Sequence, residues 1–382
     1  MAARPQLDLE GLAARIAALP GTERVRSAAG PAGFDAYLVG GSVRDALLGR
    51  ERADLDVVVT GGDHLALAAA LGGELRVHDR FGTATVSLPE AEIDVAMARA
   101  ESYARPGALP EVRPAELTED LARRDFTVNA MGIPLGARPF ELIDPHGGVF
   151  DLAGRTLRVL HERSFVDDPT RALRAVRYAT RYELALEERT DRLLRAAELR
   201  TVSAERTEAE LRKLAREPDP VLGLNVLIEW GIGRADPKLA GRALRVINRE
   251  LWQGVAEPAE VLLEAGQVRS GRFRAREAHR RARELATVRP LHPSEGVAAA
   301  RGRRGVELVI ARALGATWLD DYIREWRHVR LAISGHDLLE AGVEEGPNIG
   351  RGLAAALRAK LDGDVDGREA ELETALRAAG VV

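Results

Sequence analysis

Strand-forming patterns occupy only the first 160 or so residues of this 382-residue chain, and that division limits its fold more than any other feature. Short apolar runs at residues 36–39 and 55–59 predict two strands. Residues 85–88 and 93–97 predict two more, joined as a hairpin by the turn Pro89-Glu90-Ala91-Glu92. Between the first two runs, residues 42–48 have the pattern of a short helix. Beyond Leu160 the strand signals vanish, and Ala, Leu and Arg recur at helical spacing to the C-terminus. The expected fold class is therefore α+β: a small mixed-sheet domain followed by all-helical segments. The length is too great for one ordinary core and points to two to four domains.

Composition narrows the chemistry. Cysteine is absent, which removes disulfides, zinc–thiolate sites and cysteine nucleophiles together. No apolar run approaches the roughly 18 residues a membrane span needs. Leu9, Leu12, Ile16 and Leu19 recur at helical spacing beside Asp8 and Glu10, the pattern of an amphipathic helix and not of a signal peptide, so a cytoplasmic protein is expected. The formal net charge is -4, but the charge is segregated. Of the 55 basic residues only Lys213, Lys238 and Lys360 are lysine. Residues 269–289 hold eight arginines against Glu277 and Glu284, whereas residues 336–382 hold ten acids against five bases. The basic segment is a candidate RNA-backbone surface, though a solvated helix face explains it equally well.

Two constellations carry chemistry. Gly40-Gly41-Ser42-Val43-Arg44 follows a strand and opens a helix, where backbone N–H groups approach an anion closely. Asp54-Leu55-Asp56 puts two carboxylates on one strand face, with Leu55 and Val57 turned inward and Val58 and Val59 following. That is a hard-oxygen pocket suited to magnesium. Asp94, between Ile93 and Val95, points away from the apolar face by the same alternation. Three acids on adjacent strands suit in-line displacement at phosphorus.

These residues resemble the DNA polymerase beta-like nucleotidyltransferase superfamily, and further motifs narrow the resemblance. Arg123-Arg124-Asp125-Phe126-Thr127-Val128-Asn129-Ala130 is similar to an RRDFTxNA signature. Asp144-Pro145-His146-Gly147-Gly148, with Asp151-Leu152, is similar to a D-x-x-G-G-x-x-D-L segment. Asp167-Asp168-Pro169-Thr170-Arg171 resembles an ED-x-x-R motif with Asp in place of the first Glu, and Arg206, Glu210 and Lys213 fit R-x3-E-x2-K. Gly346-Pro347-Asn348-Ile349-Gly350 resembles a tail element. The family resembled is the class II tRNA nucleotidyltransferases (CCA-adding enzymes) and the related bacterial poly(A) polymerases.

The resemblance implies a nucleotidyltransferase head at residues 1–160, a neck that reads the base at 161–225, a body at 226–330 and a tRNA-binding tail at 331–382. It implies Asp54 and Asp56 as Mg2+ ligands, with Asp94 as the third catalytic carboxylate. Gly40, Gly41, Ser42 and Arg44 would hold the triphosphate, and Asp125 and Asn129 the ribose. Arg124, Arg174 and Arg177 join the nucleotide-binding set. Partners implied are the 3′ end and acceptor arm of tRNA, with CTP and ATP.

Base choice follows from Asp168 and Arg171, three apart on a predicted helix and so sharing a face. Without the other motifs a helix-surface ion pair would explain them. Arg offers only donors and ionised Asp only acceptors. Cytosine and adenine present an amine donor beside a ring-nitrogen acceptor; guanine and uracil present the reverse. The pair therefore selects C and A without a template. Residues 97–123 form a polar, Pro-bearing stretch, expected as a loop; in the family such a loop accompanies the switch from C to A addition, and its length favours full CCA addition. The alternatives are A-only or CC-only addition, poly(A) synthesis, or a non-catalytic RNA-binding protein on the same fold. His336-Asp337 follows Ser334-Gly335 and is expected as a helix start, not a phosphohydrolase site.

Overall fold

A computed structural model describes residues 11–50, 54–78, 82–136, 138–275 and 278–381. Leu9 and the acids beside it lie outside the described residues; the helix they were expected to join runs Leu12–Ala18 and buries Leu12 and Ile16.

The head is built on one six-stranded mixed sheet. Its strands are β1 (Asp35–Val39), β2 (Asp54–Thr60), β3 (Glu74–His78), β4 (Thr83–Ser87), β5 (Glu92–Met97) and, after an intervening β6 (Arg99–Ser102) and β7 (Glu111–Pro114), β8 (Gly132–Pro134). The order is β3-β4-β5-β2-β1-β8, with β2 and β5 parallel and the other neighbours antiparallel. The expected hairpin is β4–β5, and the expected short helix is α1 (Gly41–Leu47).

Alternation along β2 explains why its acids stand where they do. Leu55, Val57 and Val59 enter the main core beneath the sheet. Asp54, Asp56 and Val58 face the other way, where a smaller cluster of Tyr37, Val39, Val58, Leu117 and Leu121 covers the far end of the strand. That cover comes from α2 (Leu117–Ala122) and stops short of Asp56. The strand is thus buried on both faces along Val57-Val58-Val59 and open on one face at its carboxylates.

Two expectations are corrected here. The stretch after Met97 is a loop only in part: β6 and β7 pair as a hairpin, and residues 103–110 between them return to the neck, where Gly107 N donates to Val166 O at 3.2 Å. Strands also persist past residue 160. β9 (Thr156–Leu157) pairs with β10 (Ala185–Leu186), and β11 (Gly233–Arg234), β12 (Arg269–Ser270) and β13 (Phe273–Arg274) form a three-stranded sheet within the helical part. Two-residue strands are too short to carry a periodic pattern.

The neck helices are α3 (Arg171–Tyr182) and α4 (Ala204–Leu214). One apolar core runs from Leu12 through Leu173, Val176 and Leu211 to Phe273, so packing is continuous across residues 160 and 225. A second core, Leu239 to Ile323, includes α5 (Ala278–Thr287). A third, Ile333 to Ala379, holds α6 (Pro347–Asp362) against α7 (Arg368–Ala379). Asp337 accepts from Ser334 N at 2.6 Å and Ser334 Oγ at 2.9 Å, and the reciprocal bond completes a capping box. The His336-Asp337 pair is a helix start. No described helix is long and apolar enough to cross a membrane.

Candidate active site

The head and neck face each other across a cleft of about 880 Å³. On the sheet side stand Gly40, Gly41, Arg44, Asp54, Asp56 and Asp94; on the neck side stand Asp168, Arg171, Arg174 and Arg177; Arg124, Asp125 and Asn129 lie between. Every nucleotide-contacting or catalytic residue expected from the sequence lines this cleft except Ser42.

Asp56 and Asp94 are partners across the parallel β2–β5 pair, with Asp54 two residues before Asp56 on the same face. Thr85 Oγ donates to Asp94 Oδ1 at 2.6 Å and fixes that carboxylate. Ser42 is fully buried, and its hydroxyl serves the backbone between the two β2 acids: it donates to Asp54 O at 3.3 Å and accepts from Asp56 N at 3.2 Å. The hydroxyl thus braces the start of α1 against the carboxylate strand, and any contact of Ser42 with a triphosphate falls to its backbone N–H. Gly40 has φ +69°, and a Cβ there would come within 2.7 Å of the Arg124 guanidinium, so glycine is what lets that cation into the cleft.

Among the described residues no three metal-ligating side chains converge as a closed cage. The donor set still fits a magnesium-type ion, which takes one or two protein carboxylates and fills the rest of its octahedron with water and substrate phosphate. Two β2 carboxylates on one open face, with Asp94 opposite, supply that minimum.

Arg44 is only 3% exposed. Its guanidinium is bidentate to Asp45 at 2.9 and 3.1 Å, donates to Asn129 Oδ1 and to Tyr182 Oη, and stacks 4.1 Å from the Tyr182 ring centroid. Its charge reaches the cleft while its donors hold the head to the neck. Burial, with Asp45 nearby, pushes the Tyr182 phenol up to about 12 despite the opposing pull of Arg44. Asp125 is buried, which alone would raise its pKa; Arg174, with Nε at 2.7 Å, and the Asn129 amide, at 2.9 Å, outweigh this and hold it well below the usual carboxylate range.

The Asp168/Arg171 pair differs from the sequence expectation in one respect. Asp168 is not in the helix: with φ -131° and ψ 91° it precedes α3, because Pro169 disfavours helical backbone at the residue before it. Asp168 and Arg171 still line the same cleft, but not as neighbours on one helix face. Asp168 Oδ1 accepts from Thr170 N at 3.1 Å, Thr170 Oγ at 2.7 Å and Arg206 Nη2 at 2.9 Å. Arg171, 5% exposed, donates to Ser164 Oγ and to Arg123 O, each at 2.7 Å. Asp167 pairs with Arg163 at 2.9 Å outside the cleft.

Sequence reasoning missed several residues here. Asp120, fully buried, grips Arg123 at 2.6 Å and Arg124 at 2.8 Å and so aims the arginine pair; its spacing of three and four residues on a helix was the available signal. Glu217 comes from the turn after α4, with Arg181 3.6 Å away, and burial raises its pKa. Tyr178, Tyr103, Leu109 and Pro110 also line the cleft. The D-x-x-G-G-x-x-D-L segment proves structural. Asp144 caps Gly148 N and Val149 N at 2.7 and 2.9 Å, and Asp151 accepts from Thr127 Oγ at 2.6 Å. A Cβ on Gly148 would lie 2.3 Å from Thr127 O. The segment supports the turn that carries Asn129.

Comparison with known proteins agrees with this site. Residues 36–158 match the Poly A polymerase head domain, a nucleotidyltransferase module for which divalent-metal use is general. The CC-adding tRNA nucleotidyltransferase of Deinococcus radiodurans is 36% identical over 354 residues, 89% of this chain and 88% of that one. The A-adding tRNA nucleotidyltransferase of Halalkalibacterium halodurans is 44% identical over 211 residues, 52% of this chain and 49% of that one. Two further A-adding relatives are matched over 20% and 26% of their length, so the chain spans at most about half of the A-adding relatives it matches. The Thermotoga maritima CCA-adding enzyme complexed with tRNA superposes with a TM-score of 0.72 at 27% identity, over 97% of this chain and 99% of that one. Fold and site define a polymerase beta-like nucleotidyltransferase. The chain belongs to the class II tRNA nucleotidyltransferase family.

Proposed function

We propose that this chain builds or repairs the 3′-terminal CCA of tRNA from CTP and ATP without a nucleic-acid template, acting in the cytoplasm. The observation that carries this is the facing of Asp54, Asp56 and Asp94 on the sheet against Asp168 and Arg171 on the neck, across one cleft. The first set handles phosphorus and the second reads a base edge.

The cleft residues divide the work by chemistry. Nε of Arg124 and Nε of Arg177 are buried donors with no hydrogen-bond acceptor among the described residues, and a triphosphate between head and neck would satisfy both. Arg44, Gly40 and Gly41 complete that anion-binding wall. Asp125 and Asn129, locked to each other and to Arg174, offer acceptors and an amide at the ribose. Asp168 has Oδ1 saturated, which leaves Oδ2 for the amine of cytosine or adenine, while Arg171 donates to the ring nitrogen. Mg2+ held by Asp54 and Asp56 would supply neutralisation of the phosphate charge and acidify the attacking hydroxyl. Asp94 receives the proton of the RNA 3′ hydroxyl as that oxygen bonds the α-phosphorus and pyrophosphate departs.

Completion of all three nucleotides is supported by the intact β6–β7 hairpin, whose connecting segment lines the cleft with Tyr103, Leu109 and Pro110. A narrower product is the second reading, favoured by the identity to CC-adding and A-adding relatives. A product-length assay separates them: tRNA ending at its discriminator base, with CTP, ATP and Mg2+, should gain three nucleotides and stop. Extension by two means CC addition, extension only of tRNA already ending in CC means A addition, and a long A ladder means poly(A) synthesis. No extension of any substrate would overturn the catalytic reading.

A further inference from the structure

The three-stranded sheet in the body carries an arrangement that folding alone does not favour. Gly233, Ser270 and Phe273 are register partners across β11, β12 and β13, and so are Arg234, Arg269 and Arg274. The first row turns inward, with Ser270 2% and Phe273 8% exposed; the second row is exposed. Three guanidinium stems therefore stand side by side on one face of the sheet. Like charges directly opposite each other weaken a sheet, yet no carboxylate of a described residue pairs with them. The side chains of Arg234 and Arg269 make no hydrogen bond or ion pair with any described residue. Among the described residues Arg274 donates to the Gly271 and Phe273 carbonyls alone, at 2.8 and 2.7 Å. With Arg200 the row lines a second concavity of about 1020 Å³ whose one acid is Glu198.

The rest of the basic segment behaves otherwise. On α5, Arg280 pairs with Glu284 at 2.8 Å and Arg281 with Glu307 at 3.4 Å, while Arg289 caps the helix end at the Ala286 and Val288 carbonyls. The sequence cluster thus divides: on the helix Arg280 and Arg281 face carboxylates, whereas no arginine of the sheet row pairs with a carboxylate among the described residues.

Position names the occupant. The Gly271 turn packs on Leu199, and Thr201, two residues on, packs on Gly107 of the β6–β7 hairpin. The row therefore lies across one short turn from the wall of the catalytic cleft. We propose that Arg234, Arg269 and Arg274 grip the sugar-phosphate backbone of the double-helical part of the RNA substrate while its 3′ end occupies the cleft; this rests on the RNA reading above. Guanidinium pairs bidentately with phosphate, and such contacts are indifferent to sequence.

The test uses the full chain and compares it with the variant Arg234→Gln/Arg269→Gln/Arg274→Gln. Binding of tRNA is measured across a salt series, and nucleotide addition is followed separately. Expected are a Kd about tenfold to a hundredfold higher near 0.1 M salt, a log K against log salt slope shallower by about two to three, and a Tm no lower than the parent. Arg269→Gln alone should give about one third of the slope change. An unchanged slope and Kd in a chain that extends tRNA overturns the proposal, as does weaker binding accompanied by a lowered Tm, which marks damage to the sheet. Failure of the parent to extend tRNA with the slope difference intact would instead sink the activity reading and leave the arginine row standing.

Discussion

The two walls of the cleft are built on opposite plans. On the sheet, Asp54 and Asp94 are exposed at the end of a strand pair where the covering helix gives out, and one hydroxyl, Thr85 Oγ, steadies Asp94. On the neck, Asp168 takes three hydrogen bonds on one oxygen, Arg171 spends two donors on fixed partners, and Arg174 is locked to Asp125. A wall that handles ions and departing pyrophosphate needs open coordination positions. A wall that distinguishes one base edge from its reverse needs groups that cannot turn to suit the wrong partner. Exposure on one side and saturation on the other are what the proposed division of work requires.

Substitutions on either wall should therefore fail differently. Asp56→Ala should lower the rate of nucleotide addition by about a thousandfold or more, since it removes several kcal/mol of charge handling at phosphorus, while tRNA binding persists. Substantial residual turnover in a quenched single-turnover assay would remove Asp56 from the metal site.

Asp125→Asn should act on stability. It leaves Arg174 without its buried partner, at a cost of about 3 kcal/mol at neutral pH. Because the folded pKa of Asp125 is depressed, the stabilisation is present above the ordinary carboxylate value of about 3.9 and is lost as pH falls from there through the folded value. Urea midpoints of parent and variant should converge on acidification below about pH 4; a gap that stays constant down to pH 2 would contradict the pairing.

Arg171→Ala should keep addition of C and A measurable and relax rejection of UTP and GTP by about tenfold to a hundredfold, the worth of one unsatisfied group at about 1–3 kcal/mol. Arg206→Ala should relax it less, by about threefold to tenfold, because Thr170 still holds Asp168 in place. The ratio of kcat/KM values for the four nucleotides reads both; an order reversed between these variants would mean that Asp168 is positioned mainly by Arg206.

What the sequence disclosed depended on the length of the physical signal. Alternation over six or seven residues was enough to place Asp54, Asp56 and Asp94 on a common side, whereas the Asp168/Arg171 pair stood out only through its resemblance to a family motif. The geometry of that pair was not legible, because Pro169 moves Asp168 out of the helix that the spacing implied. The β6–β7 hairpin escaped notice because β7 is exposed at every position, leaving no hydrophobic alternation to read. The body sheet escaped for want of length. The motif records the position of Ser42 but not the direction of its hydroxyl, which turns to the β2 backbone.

The most direct test of untemplated selection by the neck is single-turnover addition of each of the four nucleotides, separately, to tRNA lacking its CCA end or ending in CC. The account predicts incorporation from CTP and ATP, with UTP and GTP at least about a hundredfold slower, since the wrong edge leaves both Asp168 and Arg171 unpaired. Comparable rates for all four would contradict it, whatever the length of the product.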